Sequence, residues 1–80
     1  MGLKVLTADY GYDVFYLDLT EDEAQIILDK GAFVKQSPVY SETEETRIIG
    51  ATWTFKPTED MFVIECENGA VFNTFEYQID

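Results

Sequence analysis

The side chains in this sequence that could take part in chemistry are mainly carboxylates. The 80 residues include sixteen Asp and Glu against five Lys and Arg, which gives a net charge of −11. Alternate residues of a strand share one face and lie about 6–7 Å apart, a spacing that Glu42 has with Glu44, and Glu65 with Glu67. Charges along a nucleic-acid strand have spacings of the same order. Any acidic strand shares this geometry, so the spacing alone does not select a ligand.

Other catalytic or metal-binding groups are scarce. The sequence has no histidine, which removes the commonest general acid–base residue and metal ligand. Cys66 alone can form neither an ordinary structural zinc site nor a Cys–His nucleophile pair. Asp9 and Asp13 flank a turn but lack the calcium-loop pattern. We therefore predict that the chain is not an enzyme, with no catalytic residue, metal site or cofactor.

The charge balance points to a protein partner. A strongly negative field repels nucleic acid and anionic membranes and attracts basic protein surfaces. The five basic residues are also scattered, whereas direct phosphate binding needs them clustered. The predicted partner is a protein with a basic surface, either a nucleic-acid-binding protein or a nuclease. The chain is expected to make no direct contact with nucleic acid or membrane. Simple solubility and adaptation to salt are the alternative explanations of the acidity.

Some acidic residues have local structural roles, and the others are candidate contacts. Helix capping accounts for the acids at 21–23, but no local need accounts for those at 42–45. Exposed tyrosines would add rigid contact area, although partial core packing is an equal alternative for them. The predicted partner-binding residues are Glu42, Glu44, Glu45, Tyr40, Glu65, Glu67, Glu76, Phe72, Tyr10 and Tyr12.

The first half of the chain predicts a hairpin followed by a helix. Residues 3–8 form an apolar run, and after a turn residues 14–19 alternate apolar side chains with Tyr16 and Asp18. Thr20 followed by Glu23 predicts a capping box, and the helix is expected to extend to about Lys30, with Gly31 as a left-handed C-cap. Pro38 is expected to block a long continuation of any strand that begins near Phe33.

The second half predicts strands around an Asn68-Gly69 turn. This pair favours a two-residue hairpin loop, in which Ile64 faces Asn73 and Phe62 faces Phe75. Phe72 would then lie on the outer face with the acids. The predicted fold is a single compact acidic domain over residues 1–80. Its class is α+β, with a mainly antiparallel sheet of about five strands in the order β-β-α-β-β-β and one short helix packed on the sheet.

The predicted compartment is the cytoplasm, or the host cytoplasm if the chain is phage-encoded. A single cysteine cannot form an internal disulfide, which suits a reducing compartment. The sequence has no apolar stretch near the ~20 residues that span a bilayer. Its first residues lack the pattern of a signal peptide.

In size, acidity, aromatic content and lack of catalytic residues, the chain resembles two groups of small proteins. One group is phage inhibitors of host defence nucleases, including anti-CRISPR and anti-restriction proteins that mimic DNA. The other group is immunity proteins or antitoxins that block a nuclease toxin. No motif accompanies the resemblance, so it assigns no residue a role. It implies an inhibitor that acts by charge mimicry, and a non-inhibitory protein-interaction or assembly module is the alternative.

Overall fold

Seven strands and one short helix form the part of the chain that the structure describes. The computed structural model describes residues 1–7, 13–41 and 48–80. In chain order the elements are β1 (Gly2–Thr7), β2 (Asp13–Asp18), α1 (Glu21–Leu28), β3 (Phe33–Ser41), β4 (Ile48–Lys56), β5 (Met61–Cys66), β6 (Val71–Thr74) and β7 (Glu76–Ile79).

The strands form one antiparallel sheet that nearly closes into a barrel. The strand order is β6-β5-β4-β3-β2-β1-β7, so β6 and β7 are the two edges. Phe75 alone separates β6 from β7, and one segment therefore pairs with β5 through its first half and with β1 through its second half. The rings of Phe15 and Phe72, from β2 and β6, meet edge to face with centroids 5.1 Å apart. The inner face of the sheet is thus packed against itself.

The predicted α+β class with about five strands is wrong, because the protein is mostly antiparallel β with seven strands. Two causes explain the difference. The strand β3 continues for nine residues, although Pro38 was expected to block a long strand, and the C-terminal segment divides at Phe75 into strands on opposite edges. The sheet therefore buries its apolar face mainly by curling on itself, while the helix adds Ala24 and Ile27 to the core.

The predicted first hairpin is confirmed. Leu3 pairs with Leu17, and Val5 pairs with Phe15. All four side chains are buried. Because successive residues of a strand point to opposite faces, these alternate apolar residues line the interior, and Tyr16 lies between two of them on the outside.

The predicted capping box at the start of α1 is also confirmed. The Thr20 hydroxyl accepts from the Glu23 N–H at 3.2 Å, and the Glu23 carboxylate accepts from the Thr20 N–H at 2.9 Å. The Lys35 ammonium donates to the same carboxylate at 2.8 Å and to the Asp18 carbonyl at 2.8 Å. The helix start is therefore tied to both β2 and β3.

Replacing Thr20 with alanine is expected to lower the free energy of unfolding by about 1 kcal/mol, because the Glu23 N–H loses its capping acceptor. Urea denaturation followed by circular dichroism measures the loss. Thr20→Ser keeps the hydroxyl and should stay within about 0.5 kcal/mol of the parent. Equal losses in the two variants would contradict the capping role.

The helix ends at Leu28, two residues before the predicted end at Lys30, and the left-handed residue is Lys30 rather than Gly31. Lys30 has the left-handed conformation, with φ 59°, while the Gly31 N–H donates to the Ile26 carbonyl at 2.8 Å. These bonds belong to a Schellman ending, in which Gly31 follows the left-handed residue. A Cβ on Gly31 would lie 3.1 Å from both the carbonyl oxygen and Cγ2 of Ile26, so close packing explains the glycine.

The strand β3 passes through Pro38, contrary to the prediction. Ser37 pairs with Ala51 and Val39 pairs with Ile48, so the two β4 residues between those pairs stand opposite Pro38 alone. This is a β-bulge, a place where a sheet tolerates proline. Gly50, one of the two bulged residues, has φ +76°, a conformation that glycine adopts readily.

The predicted register of the last hairpin is wrong by one residue. Ile64 pairs with Phe72 and Phe62 pairs with Thr74. The Cys66 N–H donates to the Ala70 carbonyl at 2.8 Å, so the loop has three residues and ends on Gly69 at φ +89°. Such a loop combines a tight turn with a left-handed residue. A slip of one residue exchanges the faces of a strand, so Phe72 points inward.

Candidate partner-binding surface

Half of the predicted contact residues lie outside the described part of the chain. They are Glu42, Glu44, Glu45, Tyr10 and Tyr12. The described residues that flank their segments are neighbours: Phe15 pairs with Ser41, and the Ser41 hydroxyl donates to the Asp13 carboxylate. The connections from β1 to β2 and from β3 to β4 therefore start from the same end of the barrel.

Glu65 and Glu67 lie together beside a cleft on the outside of the sheet. Glu65 is the exposed residue of β5, and Glu67 is exposed in the loop that follows. The cleft has a volume of about 270 Å³. Its lining residues are Gln36, Gly50, Ala51, Thr52, Glu65, Cys66 and Glu67. These two predicted contacts thus share one surface.

The bulge at Gly50 sets the position of the Glu67 side chain. The Glu67 N–H donates to the Gly50 carbonyl at 3.0 Å. A Cβ on Gly50 would overlap the carboxylate of Glu67, which shows that this side chain lies over the glycine. The absence of a side chain at Gly50 therefore allows Glu67 to form one wall of the cleft.

Tyr40 and Glu76 lie on a different part of the barrel. Tyr40 of β3 pairs with Tyr16 of β2, and Glu76 of β7 pairs with Leu6 of β1. The Lys4 ammonium lies 5.7 Å from the centre of the Tyr16 ring, a cation–π geometry. The predicted contacts therefore divide between the β4–β5 surface and the β7-β1-β2-β3 surface.

Phe72 does not belong to either surface. Its side chain is 4% exposed and is part of the core, because of the one-residue register shift. The residues that the same shift turns outward are Val71, which is 54% exposed, and Phe75, which is 65% exposed. The exposed apolar groups of the hairpin are therefore these two side chains.

Cys66 is buried in the core. Burial raises the pKa of its thiol, which disfavours the reactive thiolate at neutral pH. Within residues 1–7, 13–41 and 48–80, no group of three or more Cys, Asp or Glu side chains is arranged to hold a metal ion.

Most of the described acidic side chains stay available to a partner. Three lysines are engaged in salt bridges with Asp80, Asp60 and Glu23. Asp13 is buried, and its carboxylate accepts from the Ser41 hydroxyl. The described acidic residues that are exposed and have no salt bridge with a described residue are Asp18, Glu21, Asp22, Asp29, Glu59, Glu65, Glu67 and Glu76.

A polar cluster that the sequence did not predict joins the segment after α1 to the β4–β5 turn and to β7. We call Lys30, Asp60 and Tyr77 the polar clasp. The Lys30 ammonium and the Tyr77 hydroxyl both donate to the Asp60 carboxylate, and Lys30 lies 5.8 Å from the centre of the Phe55 ring. Lys30 and Asp60 both have left-handed backbones. Such conformations persist where neighbouring contacts hold them, so the clasp is a structural feature.

The clasp predicts a pH-dependent stability. The bond from Lys30, followed by that from Tyr77, lowers the pKa of Asp60. A carboxyl with a lowered folded pKa contributes stability that is complete above its ordinary pKa of about 4 and is lost as pH falls through the folded value. We expect the melting temperatures of the parent and Asp60→Asn to differ at pH 7 and to converge as pH falls below the ordinary Asp pKa of about 4. A constant difference across this range would contradict the assignment.

The sequence held only a partial signal for the cleft. Gln36 and Thr52 reach it through the pairing of β3 with β4, which the sequence analysis did not predict at this length. Gly50 lies inside β4, and a glycine inside a strand often marks a bulge. The sequence therefore contained a signal for the bulge at Gly50.

Comparisons with protein-family models, with curated proteins and with solved structures found no match. In the described segments, no helix has the length and apolar character needed to cross a membrane.

Proposed function

We propose that the chain is a small acidic binding protein that inhibits a basic nucleic-acid-binding protein or nuclease by charge mimicry of DNA. The observation that carries the proposal is the exposed acidic surface described above, which the few lysines leave largely unneutralised. Opposite fields raise association rates by about 10- to 1000-fold in favourable cases. The inhibitor would act in the cytoplasm, without cofactor or catalysis.

The geometry supports a surface-binding mechanism. Asp18, Glu65 and Glu76 lie on strands, so backbone pairing fixes where these side chains leave the surface. A basic groove that binds phosphates would accept such carboxylates in their place. The negative charges repel one another, which destabilises a small domain. A role in binding would explain why the sequence keeps them.

The proposal is tested by capture and competition. The tagged chain is used to recover partners from a lysate at low and at high salt. A recovered protein is then bound to a fluorescent DNA duplex, and displacement of the duplex by the chain is followed by anisotropy. We expect a basic nucleic-acid-binding partner, captured more strongly at low salt because salt screens surface charges. Recovery of no such partner at either salt, or no displacement of DNA, would overturn the proposal.

Charge reversal separates specific contacts from bulk charge. Changing Glu42, Glu44 and Glu45 to lysine should weaken capture sharply. The matched control changes Asp18, Asp29 and Glu59 to lysine, which alters net charge equally outside the predicted contact set. Equal weakening by both variants would remove the special role of residues 42–45.

Two alternatives have distinct readouts. An immunity protein or antitoxin would suppress the cleavage activity of a recovered nuclease toxin. A non-inhibitory assembly module is favoured by the exposure of Val71 and Phe75, since exposed apolar patches mark association sites. Its association would depend little on salt and would appear as self-association in light scattering.

A further inference from the structure

The outer side of β5 and β6 places carboxylates next to exposed apolar side chains. Glu65 pairs directly with Val71 across these strands, and directly opposite residues have Cβ atoms about 5 Å apart. Phe75 follows on the same segment, about 13 Å further along an extended chain. Val71 and Phe75 are both more than half exposed. This surface therefore combines charge with apolar area, as the centres of protein interfaces often do.

The cleft beside these residues suits one long side chain. Its volume is about 270 Å³, below the ~300–1,000 Å³ typical of sites for small organic ligands. Glu65 and Glu67 supply two carboxylates, and neither forms a salt bridge with a described residue. The Gln36 amide and the Thr52 hydroxyl, which also line the cleft, offer further acceptor oxygens. The chemistry of the lining is complementary to a cation with several N–H donors.

We propose that the partner docks on this surface by placing an arginine side chain in the cleft, between Glu65 and Glu67, and apolar side chains against Val71 and Phe75. This inference rests on the proposed function, because it names the chemistry by which a basic partner is recognised. Arginine fits better than lysine, since its planar guanidinium forms paired hydrogen bonds with carboxylates and presents five donors. Arginines that bind phosphates in a nucleic-acid site would meet carboxylates here instead.

The test uses a peptide of defined chemistry and the full chain. The uniformly ¹⁵N-labelled protein is titrated with acetyl-Arg-Leu-Arg-amide and, separately, with acetyl-Lys-Leu-Lys-amide, at constant ionic strength. We expect saturable shifts of the amide signals of Gly50, Thr52, Glu67 and Val71, with the arginine peptide binding more tightly. Shifts that do not saturate, or that are equally large in the first turn of α1, would overturn the proposal. Equal binding of both peptides would overturn the choice of arginine.

Variants test the side chains directly. Glu65→Gln with Glu67→Gln should weaken arginine-peptide binding about tenfold, equal to ~1.4 kcal/mol, which two exposed ion pairs can supply. The matched control, Glu21→Gln with Asp22→Asn, removes the same charge at the start of α1 and should change affinity less than about twofold. Equal losses of affinity in the two variants would show that net charge alone causes the effect and would contradict arginine binding in the cleft.

The failure of this inference is distinguishable from the failure of the proposed function. A partner captured unchanged by the Glu65→Gln/Glu67→Gln variant would contradict docking at the cleft while leaving charge mimicry in place. Specific peptide binding without any DNA-binding partner would support the cleft and contradict the mimicry. Val71→Ser with Phe75→Ser should weaken acetyl-Arg-Leu-Arg-amide but not acetyl-Arg-Gly-Arg-amide, and an equal effect on both would contradict the apolar contact.

Discussion

Replacing Phe62 with alanine is expected to lower the free energy of unfolding by about 3–5 kcal/mol, the cost of a large cavity in a packed core. Phe62 is fully buried. Its ring centroid lies 5.0 Å from that of Phe55, 5.2 Å from that of Tyr77 and 6.4 Å from that of Phe33. These partners come from β4, β7 and β3, so this one side chain connects β5 with the edge strand β7 through the core. Urea denaturation monitored by fluorescence and circular dichroism measures the loss.

The structure provides a control of the same chemistry. Phe75→Ala removes an identical group from a side chain that is 65% exposed, and its effect should stay within about 0.5 kcal/mol. If Phe62→Ala does not fold, Phe62→Leu keeps most of the volume and should lose about 1–2 kcal/mol. A loss at Phe75 equal to that at Phe62 would contradict the observed register of β5 with β6.

Replacing Gly50 with alanine should cost about 2–3 kcal/mol of unfolding free energy, from two separate causes. A residue with a Cβ is unfavourable by about 1–2 kcal/mol in the left-handed region, where Gly50 lies at φ +76°. The new methyl group would also overlap the Glu67 carboxylate and must displace it. We therefore expect weaker arginine-peptide binding as well as lower stability, measured by denaturation and by the same titration.

Other glycines separate the two causes. Gly69 has φ +89° with open space around the position of a Cβ, and Gly2 has open space without the unusual backbone. Gly69→Ala should therefore show the backbone cost of about 1–2 kcal/mol alone, and Gly2→Ala should stay within about 0.5 kcal/mol. Adding Glu67→Ala to Gly50→Ala should recover only the part due to overlap. Full recovery would show that the backbone of Gly50 carries no strain.

Local patterns in the sequence predicted the local structure well. The alternation in residues 14–19 gave the correct faces for Phe15 and Leu17, since period two follows directly from strand geometry. The capping box needed only Thr20 and Glu23, three residues apart. Such features depend only on residues that are close together in sequence, so they can be predicted from the sequence.

The errors arose where tertiary context decides. Asn68-Gly69 is compatible with loops of two or three residues, and only packing of Phe72 against Phe15 selects the second. Pro38 would end the strand β3 unless a bulge on the neighbouring strand accommodates it. In residues 76–79 Tyr77 and Ile79 alternate with polar residues, a strand signal that was present but overlooked.

The candidate surface was predictable in its charge and not in its shape. The spacing predicted Glu65 and Glu67 on one face of a strand, whereas Glu67 lies in the loop after β5 and both residues line one cleft. Their common cleft depends on the bulge at Gly50, and the exposure of Val71 depends on the register. Long-range pairing determines both features. The polar clasp likewise unites residues 30, 60 and 77, whose positions give no local indication of contact.

The pairing of β1 with β7 has a consequence for synthesis of the protein. Leu3 pairs with Ile79 and Leu6 with Glu76, so β1 can form its hydrogen bonds to β7 only after all the strands between them have been made. Contacts that distant in sequence slow folding, and an unpaired strand edge can pair with another chain. We expect the growing chain to pass through a stage on the ribosome when β1 is most prone to aggregate, and this stage to end once β7 has emerged and paired with β1.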